Sequence, residues 1–181
     1  MTATEVLKKE HKIVLLVLNG AEREAKAIQD TDKVNVEKIN QMVDFFRNFT
    51  DKCHHAKEEK YLIPKMAERG ISSESKPIGF VLKEHIKGRE KVKAIAEALP
   101  KVKKGDSSAI KSLKDNLSTY VELLRGHIDR EDNILFPMAD RIFTPEDQEV
   151  LTEAFEKVEA EEMGEGVHEK YHKLAHELGE S

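Results

Sequence analysis

Four histidines and two glutamates in this chain fall into two copies of one pattern. Lys9-Glu10-His11 recurs as Lys83-Glu84-His85, and His54-x-x-x-Glu58-x-x-x-Leu62-x-Pro64 recurs as His127-x-x-x-Glu131-x-x-x-Leu135-x-Pro137. The first motif returns after 74 residues and the second after 73 at all four of its positions. A self-similarity of this kind marks a repeated supersecondary unit, here a pair of helices. In each His-x-x-x-Glu the two residues lie one turn apart, roughly 6 Å along the helix axis and about 40° around it, so both reach one point. Two antiparallel hairpins packed as a bundle would carry both copies at one level, related by a pseudo-twofold axis.

The rest of the chain agrees with a helical reading. Thr2-Ala3-Thr4-Glu5 has the form of a capping box, and Val6, Leu7, Val14, Leu15 and Leu18 keep a helical period to about Ile28. A second helix is expected from about Asn35 to Arg69, ended by Gly70, and a third from Pro77, closed by Pro100. Ile110, Leu113, Leu117, Tyr120, Leu124 and Ile134 trace a fourth helix to about Ile142. Thr144-Pro145-Glu146-Asp147 predicts the start of a fifth, to about Glu162, and after Gly164 and Gly166 a short sixth carries His168, His172 and His176 on one face. Pro64 and Pro137 are expected to kink or break helices two and four. The fold class is therefore all-α: an antiparallel up-down four-helix bundle over 1–143 with a C-terminal helical extension over 144–181, in a single domain.

Composition narrows the function. Charged residues make up 36% of the 181-residue chain and aromatics 6%, without tryptophan, which suits solvent-striped helices. The net charge is −5 with the signs interspersed, so no basic face invites nucleic acid. Cys53 is the single cysteine, which leaves no internal disulfide and no thiolate metal cluster. The apolar run Ile13 to Leu18 is too short for an export signal, and nothing approaches the roughly 20 apolar residues of a membrane span. A cytoplasmic location is expected.

A lone histidine on an apolar helix face is usually a satisfied core residue. Four in register, two of them followed by a carboxylate that needs a cation when buried, have a different origin. His11, His54, Glu58, His85, His127 and Glu131 are the candidate metal ligands. Imidazole with carboxylate suits iron first and manganese or zinc after it, and two carboxylates can bridge two ions. An open coordination position would then accept a small ligand. The bland alternative is a structural bundle with zinc or an empty polar core.

At these residues the chain resembles the hemerythrin-like, or HHE cation-binding, family, over essentially the whole length from Glu10-His11 to the end of helix four. The order His, His-x-x-x-Glu, His, His-x-x-x-Glu is similar to its bacterial and archaeal branch. The resemblance implies a four-helix bundle around a carboxylate-bridged pair of non-haem irons, with O2, nitric oxide or peroxide as the small ligand. Binding or sensing of such a ligand is one expected function; a di-iron enzyme acting on peroxide or nitric oxide, or an iron donor for iron–sulfur cluster repair, is the alternative. The oxygen carriers of the family show His-x-x-x-His on the third helix, where this chain has His85-Ile86-Lys87-Gly88-Arg89. Arginine cannot ligate a metal, so Arg89 is instead a candidate partner for a bridging carboxylate.

Other residues are candidates beside the six. His55-x-x-x-Glu59 has the same spacing as His54-x-x-x-Glu58 and is the alternative to it, but only the latter matches the copy at His127 and Glu131. Glu59 and Asp132 are candidate hydrogen-bond acceptors for ligand imidazoles. Tyr61 and Tyr120 are candidate phenols near the site, with core packing as the alternative. His168, following Gly164-Glu165-Gly166, is a candidate extra ligand. Cys53 and Gly88 are expected to serve packing.

Overall fold

The computed structural model describes residues 1–180, and among them every regular element is helical. Helix α1 (Ala3–Thr31) starts on the capping box, in which the Thr2 hydroxyl accepts from the Glu5 N–H and the Glu5 carboxylate accepts from the Thr2 N–H. The second long helix occupies 36–68 and changes its hydrogen bonding along the way. It comprises α2 (Val36–Phe45), a π-helical stretch Phe46–His55, a second π-helical turn Glu58–Leu62, and α3 (Ile63–Glu68). Then come α4 (Lys76–Lys103) and α5 (Ser107–Arg130), which continues through a π-helical turn Glu131–Leu135 into α6 (Phe136–Ile142). Helix α7 (Pro145–Lys157) runs into a π-helical turn Val158–Met163, and Gly164, at φ 89°, separates it from α8 (Val167–Glu180).

Pro64 and Pro137 do not end their helices; the local disturbance expected of each takes the form of a π-helical turn just before it. Each proline follows a π-helical turn in which the hydrogen bond spans five residues: the Ile63 N–H reaches the Glu58 carbonyl, and the Phe136 N–H reaches that of Glu131. A wider turn accommodates the proline ring without interrupting the helix. Pro100 likewise does not close α4, which continues to Lys103.

Helix α5 packs against both α4 and α1, α2 packs against α4, and α8 lies along α1. Gly20 and Gly179 permit that last contact: a Cβ on Gly20 would stand 2.4 Å from the Leu178 carbonyl oxygen, and one on Gly179 2.9 Å from that of Leu16.

The core divides into two apolar clusters. One holds Val14, Leu18, Phe45, Phe46, Phe49, Val92, Leu117 and Leu124, the other Leu7, Leu62, Met66, Val81, Leu135, Phe136 and Phe155. Each fully buried large side chain contributes about 1.5–3 kcal/mol. Along all four long helices the change from one cluster to the other falls at the repeated histidines and glutamates. A polar layer is thus held between two hydrophobic ones.

Helix α7 is fixed by its own capping box, Thr144 with Asp147, and by Arg69, which donates to both Asp147 carboxylate oxygens at 2.8 and 2.9 Å. Arg69 and the Thr144 N–H hold the Asp147 carboxyl down at about 2. The stabilisation is complete above the ordinary aspartate range near pH 4 and is lost as the pH falls through about 2. Arg69→Ala is expected to lower the melting temperature at pH 7 by several degrees and to cost progressively less as the pH approaches 2, which thermal melts across that range would check.

Candidate metal centre

All six candidate ligands are buried, at 0–1% exposure, and gather around the two facing carboxylates of Glu58 and Glu131. Glu58 Oε1 lies 3.1 Å from His54 Nε2, and its Oε2 lies 3.2 Å from His85 Nε2. In the second copy, Glu131 Oε2 lies 3.0 Å from His11 Nε2 and Oε1 lies 3.0 Å from His127 Nε2. His55, the alternative to His54 in sequence, is present alongside it: its ring stacks on His85 at 3.8 Å. Three groups of side chains have ligand atoms close enough together to hold a metal ion; Glu10, Cys53 and His168 form one at the flank, and the other two meet at Glu58. Those two are His11, His54, Glu58 and Glu131, and His55, Glu58, His85 and His127.

His55 joins His54 because the stretch from Phe46 to His55 is π-helical. Each residue there turns through less than the 100° of an α-helix, so neighbouring side chains diverge less. The outer flank of the same stretch is also covered. Lys57, fully buried, bonds to Glu10 and, at 2.7 Å, to Glu159 of the turn after α7. Residues 53–58 are consequently all buried.

Every one of the five imidazoles presents Nδ1 to a carboxylate. His54 pairs with Glu10 at 2.6 Å, His11 with Asp132 at 2.7 Å, His85 with Glu59 at 2.9 Å, His127 with Glu84 and His55 with Asp51, both at 3.3 Å. Such an acceptor fixes the tautomer and turns Nε2 inward as a lone-pair donor. Four of the pairs obey the sequence repeat. Glu10 with His54 matches Glu84 with His127, and Asp132 with His11 matches Glu59 with His85. Glu59 and Asp132 had been singled out in the sequence; Glu10 and Glu84 had not, although the repeated Lys-Glu-His was the signal for them.

The centre is short of hydrogen bonds. His11 Nε2, His54 Nε2 and both carboxylate oxygens of Glu58 and of Glu131 are buried without a hydrogen-bond partner, despite contacts near 3 Å. Unpaired buried polar atoms are costly, and a convergent set of them is the donor arrangement of a cation site. The charges agree. Burial and the facing Glu131 push the Glu58 carboxyl up, but His54 and His85 outweigh them and hold it below the usual range. Burial opposes ionisation of Glu131 too, and His127, His11 and His85 bring it well below. Burial is likewise overcome in His54, which Glu58 and Glu10 raise to about 10, and in His127, which Glu131 and Glu84 raise to about 9. In His55 burial and the neighbouring imidazoles prevail, and its protonated form is strongly disfavoured. Without metal, protons on the other histidines balance the two carboxylates; cations at the centre would replace those protons.

The remaining candidates lie elsewhere. Arg89 pairs with Asp51 at 2.8 Å and Glu59 at 2.9 Å, rather than with Glu58 or Glu131, and so ties together the acceptors of His55 and His85. Tyr120 is buried with its ring edge against Phe46, and Tyr61 packs on the apolar cluster of Leu62 and Phe136. His168 lies 3.8 Å from Glu10 and 3.6 Å from Glu159, grouped with Glu10 and Cys53 instead of with the five imidazoles. His172 packs on Phe49, and His176 is exposed beside Glu180. Burial pushes the Cys53 thiol up to about 12, so it is an inert packing residue.

A helical bundle with buried imidazoles and carboxylates at its middle has the framework of a cation-binding protein. The family model described as the hemerythrin HHE cation binding domain matches residues 2–139, and the chain belongs to that family. Among curated proteins it is 25% identical over 166 residues to an uncharacterized protein of Mycobacterium bovis and to uncharacterized proteins of two Mycobacterium tuberculosis strains. Those alignments take in 91% of this chain and 64% of each relative. No solved structure gives a significant match. Among the described residues no helix is long and apolar enough to cross a membrane.

Proposed function

We propose that the chain is a non-haem di-iron protein that takes up O2, nitric oxide or peroxide at a carboxylate-bridged centre. Its ligands are His11, His54, Glu58, His85, His127 and Glu131, with His55 as a seventh. The observation that carries this reading is the set of buried, unpaired Nε2 and carboxylate atoms converging between two apolar clusters. Two overlapping ligand groups that share Glu58 support a pair of ions rather than one. Iron at this position supplies redox chemistry toward small oxidants. The antiparallel up-down arrangement of four helices is supported by the order of the clusters along them. Helices α1 and α4 run from the Leu7 and Val81 cluster to the other, and 36–68 and α5 with α6 run the opposite way.

His55 also bears on the departure at Arg89. The imidazole missing from the third helix is replaced by one from the second, stacked on His85, and Arg89 is left to organise the carboxylates behind both rings. Anaerobic reconstitution with ferrous iron tests the proposal. About two irons per chain and an optical change on adding O2 or nitric oxide are expected; iron bound only at the surface, removed by brief chelation, would overturn it.

Glu84→Gln is expected to weaken metal affinity about 10- to 100-fold, as does loss of other acceptors behind ligand imidazoles, while the metal count at saturation stays the same. Competition with a chelator measures it.

A further inference from the structure

Beside His55 a cavity of about 170 Å³ opens between the Phe46–His55 stretch and α4. Its walls include the apolar side chains of Phe46, Val92 and Tyr120, with His55 and Thr50 facing the same space. Thr50 is 1% exposed, and its hydroxyl has no hydrogen-bond partner. A helical threonine can normally turn its hydroxyl to the carbonyl one turn back, so an unpaired one at a cavity wall leaves a polar group for a bound molecule. Gly88 contributes no side chain to the α4 side. A Cβ there would meet Leu124 and Tyr120 at 3.6 Å, an ordinary contact, so the space beside Gly88 has room for a methyl group.

Arg89 and Asp51 are also part of the cavity wall, where their ion pair joins the two helices, and Glu59 extends the pair along the same edge. The Arg89 side chain is 40% exposed, so the closure faces solvent and lies on a flexible stem. Arg89 reaches both oxygens of Asp51 and of Glu59, a network firmer than a lone exposed ion pair of about 0–1 kcal/mol, and so it keeps the mouth shut at rest.

We propose that this cavity is the antechamber of the metal centre, that it admits molecules up to about the size of benzene bearing one hydrogen-bonding end, and that Arg89 is the latch at its mouth. The size follows from the volume, since a dry cavity of about 150 Å³ holds benzene or xenon. A diatomic ligand needs much less. The class that fits is a small amphipathic molecule whose polar end meets the Thr50 hydroxyl while its apolar part lies among Phe46, Val92, Tyr120 and the carbon edge of the His55 ring. This proposal rests on the di-iron reading, deepening it by naming the route and the size limit at that centre.

The test uses the iron-loaded full chain and two probes. Xenon and benzene binding are followed by NMR, which needs no activity, and nitric oxide uptake is followed by stopped-flow absorbance. Val92→Phe is expected to abolish xenon and benzene binding and to slow nitric oxide uptake at least tenfold. Arg89→Ala should speed uptake at least threefold. If Val92→Phe does not fold, Gly88→Ala, whose methyl meets only ordinary contacts, should give a smaller slowing of about threefold. Iron is counted in each variant, so a wild-type chain without bound iron overturns the di-iron reading, whatever xenon shows. Full iron content with unchanged nitric oxide rates in a chamber blocked to xenon overturns the route.

Discussion

Replacing either Glu58 or Glu131 with alanine is expected to reduce tightly bound iron from about two ions per chain to fewer than one. The two carboxylates are each fully buried, and each faces imidazoles from more than one helix: Glu58 those of His54 and His85, Glu131 those of His11, His127 and, at 3.7 Å, His85. A carboxylate in that position would offset the charge of both proposed ions, so its loss would affect both halves of the centre and not only the nearer one. The variants should also separate metal-linked from intrinsic stability. A ligand at about 1,000 times its dissociation constant adds about 4 kcal/mol, so the wild-type melting temperature should rise clearly on loading with iron. In Glu58→Ala and Glu131→Ala the rise should vanish, while the metal-free melting temperature changes less, because the histidines opposite can release the protons that balanced the lost carboxylate. Metal analysis after chelator washing, with melts on both forms, checks this. Two retained irons in either variant would refute the bridging role.

The layer that carries these residues was legible because it is repeated. One offset near 73 fixed which histidines and glutamates correspond, and the apolar period on either side fixed the helices that bring them together. What escaped was local hydrogen bonding. Spacing arithmetic takes each residue to advance 100°, and under it His54 and His55 compete for one inward position. Phe46–His55 does not follow that rule, and nothing in its residue types announces the wider turn. Pro64 and Pro137 were visible as disturbances, but their resolution into π-helical turns that begin at Glu58 and Glu131 was not. The same holds for Lys57. As a charged residue it reads as solvated, and only its cover from the Val158–Met163 turn makes it a buried partner of Glu10 and Glu159. Glu10 and Glu84 were within reach of sequence reasoning, since an acid beside a repeated histidine on an α-helix points toward the neighbouring helix that carries the other histidine.

His55→Ala should then have an effect unlike that of any other single histidine change. In the repeat, His55 corresponds to Ile128, a residue of the apolar core, so this imidazole belongs to one half of the centre only. The group formed by His11, His54, Glu58 and Glu131 does not include it, whereas the group of Glu58, His85 and His127 is left with two imidazoles when it is removed. Chelator titration of the wild-type chain should release both irons over a similar range. In His55→Ala one iron should leave at a chelator concentration more than about 100-fold lower, since a direct ligand is worth more than the roughly 10- to 100-fold of an acceptor behind one, and the other should stay. The metal-free fold has little reason to suffer, because burial and the neighbouring imidazoles already keep His55 uncharged, so its loss strands no ionic partner. His54→Ala, by contrast, removes the contact to Glu58 and leaves Glu10 with Lys57 and the more distant His168, and both metal retention and metal-free stability should fall. Equal, undiminished retention of both irons in His55→Ala would show that the ring stacked on His85 serves packing, and the chain would then have to hold its second ion with two imidazoles.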